Sequence, residues 1–433
     1  MQDQPKIQLL LTGNEIMSGD TIDSNSSTIA LSLAGQGLSI HRKVTLGDNY
    51  GLLKTEISIL IQQSDALIIN GGLGPTVDDL TSQVLSDAVG LPLEENTVAL
   101  SHLKQWCKKR GASLNAANLT QALLPRGCTI IANPKGSAVG FAITIDKCLI
   151  ICTPGVPSEL RDMLEEITGM LGQHLNYSGK SDILRLQCFG IGESTIQQMI
   201  TDYPKHWPKQ VELGFRAGVP QLEVKLTIHK NNHKKLQQQC KEQLYEMCGD
   251  HIIGEGGIRI AAAVLELLDQ QKKTLTTAES CTGGLIASML TSIPGSSSGF
   301  HAGFVTYANH IKTSVVGVNH SSLSEEGAVS ETVVRQMAIG AIQKSSSDYA
   351  IAVSGVAGPD GGTYDKPVGT VWMAWGTQNN IKTYCLLYDV ERQLFQSMVA
   401  AIGLDLIRRE ILGITSTPQY FKDKKNLKEM DES

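Results

Sequence analysis

Two side chains able to attack a carbonyl stand side by side at Ser280-Cys281, within Thr276-Thr277-Ala278-Glu279-Ser280-Cys281-Thr282-Gly283-Gly284. Leu275 and the β-branched Thr276 and Thr277 lead in as a strand, while Leu285, Ile286, Met289 and Leu290 continue with helical spacing. The pair is therefore expected at a strand-to-helix turn, where unpaired amides and the helix dipole favour negative charge. A nucleophile suits that place, because the oxyanion formed on attack meets donors already in position. The bland alternative is a serine cap followed by a small buried cysteine. Thr306-Tyr307-Ala308-Asn309 with Lys312 adds a phenol, an amide and an amine just past another strand. Ser280 and Lys312 together permit acyl transfer of the Ser–Lys type, provided the lysine is neutral when it takes the serine proton. Such a lysine must be buried or set beside another cation, which a pyridinium substrate would supply. Tyr307 as the proton relay and Cys281 as the nucleophile, stronger as a thiolate, are both compatible with the spacing.

A second set of chemical groups lies near the start of the chain. Gly71-Gly72-Leu73-Gly74-Pro75-Thr76-Val77-Asp78-Asp79 follows the apolar run Ala66–Asn70. Its glycines let the backbone approach a ligand, and amides ahead of a helix can cradle a phosphate. Asp78 and Asp79 would repel a naked phosphate but suit a divalent cation bridging phosphate oxygens; the alternative is a carboxylate pair that merely suits the helix dipole. Three more polar, Gly-rich loops end strands: Thr12-Gly13-Asn14-Glu15 with Ser18-Gly19, Gly47-Asp48-Asn49, and Pro154-Gly155-Val156-Pro157. Asn133-Pro134-Lys135-Gly136-Ser137 is a fifth candidate. In a doubly wound sheet such loops converge on one crevice. Near the other end, Pro294-Gly295-Ser296-Ser297-Ser298 and the crossing Gly355–Gly362 with Lys366–Thr370 offer hydroxyls and amides.

The elements that must position these groups alternate. Apolar runs at 7–11, 38–44, 66–70, 129–131, 140–145 and 148–152 read as strands. Helical faces fall at 27–34, 50–61 and 80–88, the last capped by Gly90, and this alternation predicts a mainly parallel sheet with helices on both faces. Strands at 183–189, 211–215 and 222–228 with helices at 192–200 and 235–247 predict a small α+β unit, leaving through Gly254–Gly257. A third α/β unit has strands at 275–278, 303–307, 349–354, 371–375 and 382–387. Its helices are expected at 258–271, 282–291, 331–344 (capped by Ser330) and 392–412. The expected domains are residues 1–172, 173–256 and 257–415, with 416–433 a charged, disordered tail.

Composition narrows the function. The 433 residues suit two to four domains of roughly 100–200 residues. A net charge of −6, without a basic stripe interleaved with aromatics, speaks against direct nucleic-acid binding. Nine scattered cysteines without CxxC spacing, and the lack of an apolar run long enough to span a bilayer, lead us to expect a reduced cytoplasmic protein with no membrane partner.

These runs taken together resemble the CinA family, the competence/damage-inducible proteins with a C-terminal nicotinamide-nucleotide amidase domain. The resemblance rests on TGNEIMSGDTIDSNS (12–26), VTLGDN (44–49), GGLGPTVDD (71–79), NPKGSAVG (133–140), TPGVPSEL (153–160), TTAESCTGG (276–284), GFVTYANHIK (303–312), GAVS (327–330) and SGVAGPDGGTYDKPVGT (354–370), and reaches about residue 413. It implies a molybdopterin-binding-like three-layer α/β/α domain, a small α+β middle domain and a C-terminal α/β deamidase domain. The implied reaction is hydrolysis of the carboxamide of nicotinamide mononucleotide to nicotinate mononucleotide and ammonia, a step of pyridine nucleotide salvage needing no cofactor. Ser280 is then the nucleophile, Tyr307 and Lys312 move protons, and the amides of Thr282 and Gly283 hold the oxyanion. Ser296, Ser297, Asn309, Gly358, Gly361, Gly362 and Arg392 would bind substrate; relatives often carry a second arginine where this chain has Gln396.

For the first domain the resemblance implies metal-dependent cleavage of ADP-ribose at its pyrophosphate. Glu15, Asp23, Asp78 and Asp79 would bind a divalent ion. Thr12, Gly13, Asp48, Asn49, Gly71, Gly72, Gly74, Pro75, Thr76, Asn133 and Gly155 would bind the nucleotide. Asn70 replaces a frequent threonine and Val139 a frequent proline. Nucleotides are thus the expected partners, and a homodimer the expected assembly. The alternatives are a recruitment factor for DNA uptake and recombination, and a pterin-binding enzyme.

Overall fold

The computed structural model describes residues 5–176, 182–229 and 231–423. Among the described residues, fifteen of seventeen strands fall into three main sheets. In the first domain β1 (Ile7–Thr12), β2 (Ile40–Leu46), β3 (Ala66–Asn70), β6 (Thr129–Ile131), β7 (Gly140–Ile145) and β8 (Cys148–Thr153) form a six-stranded sheet, while β4 (Leu93–Glu95) and β5 (Leu123–Pro125) make a separate ribbon. The sheet order is β2-β1-β3-β8-β7-β6. The first four strands are parallel, with Thr12 opposite Leu46, Leu11 opposite Asn70, and Asn70 opposite Thr153. The loops after β1, β2, β3 and β8 therefore leave the same edge.

Strand alternation explains the three layers. Leu10, Leu67, Ile69 and Ile150 bury one face against Leu53, Ile57, Val84 and Leu85. Leu9, Leu11, Ile68 and Ile151 bury the other against Ile29, Leu33, Leu160 and Met163. Neighbouring residues of one strand serve opposite faces because successive side chains alternate across a sheet. Val139 lies in this core.

The middle domain holds β9 (Asp182–Cys188), β10 (Glu212–Arg216), β11 (Leu222–Ile228) and β12 (Ile252–Glu255), in the order β10-β11-β9-β12. β12 absorbs the first half of the expected exit linker. Antiparallel pairing with β9 supplies partners to backbone groups that a loop would leave to water.

The C-terminal sheet is ordered β14-β13-β15-β16-β17, from β13 (Leu275–Glu279), β14 (Phe300–Val305), β15 (Tyr349–Gly355), β16 (Thr370–Thr377) and β17 (Asn380–Leu387). β13 is parallel to both β14 and β15. Ile351, Val353 and Met373 face the Ile260–Gln271 and Arg392–Ile411 helices. Ala350, Ala352 and Ala374 face the Glu331–Ser345 helix. Short alanines let that helix lie close to the sheet.

One expectation fails here. Residues 416–433 do not all form a featureless tail: Gln419–Asp423 is a helix, and Tyr420 is 7% exposed. The Tyr420 hydroxyl donates to Asp405 at 2.9 Å, and Phe421 stacks on Tyr384 at 3.6 Å. Packing of the buried Tyr420 and the partly buried Phe421 against the C-terminal core holds this helix. Residues 424–433 lie outside the described residues.

Candidate active site

β13 ends at Glu279, and two ladder bonds run past its end. The Ser280 amide donates to Val353 O at 3.0 Å, and the Thr306 amide to Glu279 O at 2.8 Å. Ser280 thus sits between the ends of β14 and β15. The chain then turns through Gly283 (φ 63°) and Gly284 (φ 98°), left-handed conformations that disfavour any residue with a Cβ. A Cβ on Gly284 would also meet Val305 at 3.1 Å.

Lys312 reaches this turn from the Asn309–Val316 helix. Helical side chains lean toward the helix N-terminus, which sends its amine back over the loop it follows. Nζ lies 2.8 Å from Thr306 O, 3.2 Å from Tyr307 O and 3.0 Å from Ser280 Oγ. The residue is 1% exposed. Burial lowers the lysine pKa, the Cys281 thiol opposing weakly. A neutral amine has two N–H groups and one lone pair. With both N–H groups spent on the two carbonyls, the lone pair is left for the serine hydroxyl.

Cys281 is also buried, and burial pushes its thiol up to about 12. At neutral pH it is a protonated, poor nucleophile. Tyr307 does not join the pair through its phenol. The ring is 61% exposed, and its hydroxyl accepts from Arg392 Nη2 at 3.3 Å. Arg392 Nη1 donates to Gly358 O at 2.7 Å, so Tyr307, Gly358 and Arg392 form one cluster. Gln396, one turn on, donates to Cys281 O at 2.9 Å and ties the Arg392–Ile411 helix to the catalytic turn.

Glu279 was given no role in the sequence, yet it organises the turn. It is fully buried, and both oxygens only accept. Oε2 takes Thr282 Oγ1 (2.7 Å) and the amides of Gly284 (3.1 Å) and Ile286 (3.0 Å). Oε1 takes Ala287 N (2.9 Å) and Thr277 Oγ1 (3.3 Å). The mouth of the Leu285–Thr291 helix is therefore filled by the protein's own anion. The sequence signal was a carboxylate five to eight residues before amides that lack helical partners. Glu279→Gln sets an NH2 group against donors; we expect it to cost about 3 kcal/mol, read by urea unfolding.

Two expected ligand groups are corrected. The Gly283 amide donates to Ser280 O at 3.1 Å, so the turn itself consumes that oxyanion donor. The amides of Cys281 and Thr282 lie near enough to the Cys281 sulfur to oppose the rise of its pKa. Ser296 and Ser297 lie at the wrong edge of the sheet. They precede β14, whose first residue pairs with Leu275, whereas Ser280 follows Glu279 at the other end of β13. Five residues of strand separate the two edges by roughly 16 Å. Asn309, Gly358, Gly361 and Gly362 follow the C-terminal ends of β14 and β15, on the Ser280 side.

The loops of the first domain close around a cavity of about 480 Å³. Thr12, Gly13, Glu15, Asp23, Asp48, Gly71, Gly72, Gly74, Pro75, Thr76, Asp78, Asp79 and Gly155 line it. Asp48 accepts from Thr12 Oγ1 and from the Asn14 amide, which locks the first two loops together. Asn49 and Asn133 do not line it. Asn49 caps the Tyr50–Gln63 helix by accepting from Leu52 N, and Asn133 donates to Ala138 O in its own loop and to Glu159 of the Pro157–His174 helix. Asn70 lines the cavity, as its place beside the expected pocket implied, whereas Val139 does not; Asn25 and Gln121 line it without having been expected. Asn70 accepts from Asn25 Nδ2 at 2.9 Å and donates to Pro154 O at 2.7 Å, a bridge that a threonine is too short to make.

The four carboxylates expected to bind a metal share the cavity without forming a ligand set. No three His, Cys, Asp or Glu side chains are grouped for metal binding among the described residues. Asp23 is held by Ser26 and by Lys43 at 3.1 Å, and Asp79 by the amide and hydroxyl of Thr76. Burial raises the Asp23 pKa, but the Ser26 and Lys43 bonds more than offset this and hold it below the usual range.

Comparison with known proteins agrees with these three sets of elements. Residues 258–411 match the CinA C-terminal domain, residues 8–173 a probable molybdopterin binding domain, and residues 185–254 the damage-inducible protein CinA KH domain. A CinA-like protein of Colwellia psychrerythraea is 52% identical over 97% of this chain and 98% of its own length. A Shewanella oneidensis protein named nicotinamide-nucleotide amidohydrolase PncC is 36% identical over 94% of this chain and 96% of its own. The crystal structure of competence/damage inducible protein CihA from Agrobacterium tumefaciens covers 34% of this chain and 91% of its own, at 39% identity and a TM-score of 0.34. No helix among the described residues is long and apolar enough to cross a membrane. On its full-length relatives and its three matched domains, the chain belongs to the CinA family.

Proposed function

We propose that the C-terminal domain hydrolyses the carboxamide of nicotinamide mononucleotide, as the name of the Shewanella oneidensis relative describes for that protein. The observation that carries the reading is the buried Lys312 amine 3.0 Å from the Ser280 hydroxyl. In this reading Lys312 takes the Ser280 proton as Oγ bonds to the carboxamide carbon. The carbonyl oxygen becomes an oxyanion, which the amides of Cys281 and Thr282 are there to meet. Collapse breaks the C–N bond. The protonated lysine gives its proton to the leaving nitrogen, and ammonia departs. Water, deprotonated by the same amine, then attacks the acyl ester; the C–Oγ bond breaks, the lysine returns the proton to Ser280, and nicotinate mononucleotide is freed. The substrate's pyridinium charge near the site further favours a neutral lysine. Arg392, clustered with Tyr307 and Gly358, is the cation we assign to the phosphate. Ammonia release by the purified chain from nicotinamide mononucleotide is the test; absence of release at any pH overturns the reading.

For the first domain we propose a nucleotide site of the ADP-ribose class, supported by a cavity of ligand size ringed by loop amides and glycines. Its carboxylates, as placed, do not make a divalent-ion site, and no step is derived through a metal. Calorimetry of ADP-ribose is expected to show binding that Asp48→Ala weakens about tenfold. Equal binding by the variant would move the ligand elsewhere.

A further inference from the structure

A second cavity, of about 430 Å³, lies between the middle and C-terminal domains, away from the Ser280 turn. We propose that it binds a phosphate monoester of mononucleotide size. Its volume is within the range of small-molecule sites. The middle domain contributes Arg216, Gln187 and Glu223, and the connection that follows β12 contributes Gly257, Ile258 and Arg259. The Gly254–Gly257 run singled out in the sequence thus ends on the wall of this cavity.

The charge points to an anion. Arg216 and Arg259 line the cavity and are both exposed, and Arg259 has no ion-pair partner among the described residues. Glu223 is the sole carboxylate of the lining, and it is already over-neutralised. Its Oε2 accepts from Arg216 at 3.1 Å, and its Oε1 lies 3.7 Å from Arg185 and 3.6 Å from Lys225. Arg259 also stands at the start of the Ile260–Gln271 helix, and Ala261 of its first turn lines the cavity. The Ile260 amide is spent on Gln221 Oε1 at 2.8 Å, whereas the next amides have no acceptor within the helix. Two guanidinium groups and a helix mouth make a phosphate cradle.

The rest of the wall suits a ring. Val219, Pro220, Ile258 and Met289 supply apolar surface. Met289 and Ser292 belong to the end of the helix whose other end is capped by Glu279 beside Ser280. That helix is about 10 Å long, so an occupant touches the same rigid element as the nucleophile's turn.

The test is calorimetric and does not depend on the proposed deamidation. AMP is titrated into the full chain, into Arg216→Ala/Arg259→Ala, and into Ser292→Trp, which fills the cavity from its other side. All three positions are exposed, and Glu223 keeps Gln187, Arg185 and Lys225 when Arg216 is removed, so the variants are expected to keep the parental melting temperature. The wild-type isotherm should contain a site that both variants weaken about tenfold or more. Inorganic phosphate should occupy it more weakly than AMP. Isotherms that superimpose on wild type, or no AMP binding at all, overturn the proposal. Phosphate binding as tightly as AMP removes the ring from it.

Discussion

Lys312→Met should lower ammonia release from nicotinamide mononucleotide by about 10³-fold or more while the domain stays folded. Methionine fills nearly the space of a neutral lysine and tolerates the same burial, so only the lone pair beside Ser280 is lost. Lys312→Arg should be as inactive and less stable, because a guanidinium cannot shed its charge and would be buried with it. The wild-type rate should rise with pH, since only the neutral amine accepts the serine proton. Its midpoint should lie below the 10.5 of a free lysine, as burial lowers this pKa. Stability carries the same sign. Between the lowered folded value and 10.5 the unfolded chain holds a proton that the folded chain lacks, so stability rises with pH through that window. Lys312→Met should abolish that rise. A pH–rate series and urea melts on the three proteins check both statements.

Ser280→Ala should remove deamidation by about 10⁵-fold or more, because the residual rate comes from binding and oxyanion donors alone. Cys281→Ala should retain activity within about tenfold. Its thiol, pushed up to about 12, holds almost no thiolate at neutral pH, and its removal spares the amides of residues 281 and 282. Steady-state ammonia release separates the two. The opposite ranking would transfer the nucleophile to Cys281 and leave Lys312 without its partner.

The strands of both large sheets were readable because apolar and β-branched runs ended at glycines, and parallel pairing then put their loops on one edge. That same rule located Ser280, Lys312, Gly358 and most of the first cavity. Period and composition were silent on direction of return. Ser296 and Ser297 looked suited to a ligand, but the helix before them carries the chain back to the far edge. Glu279 was hidden for a different reason: three of its five partners are backbone amides, which leave no trace in side-chain identity. Asn49 and Asn133 were misread because capping and loop closure use the same polar amide that binds ligands. Gln396 stood out only through the family resemblance, and its contact with Cys281 O gives it a physical use.

Carbon NMR of chain labelled at lysine Cε, with Lys312→Met to assign the resonance, measures the charge on this amine directly. The account requires residue 312 to titrate below every exposed lysine, and to shift again when Ser280 becomes alanine. A resonance that stays protonated up to the pH of an ordinary lysine would show a cation beside the hydroxyl, unable to accept its proton.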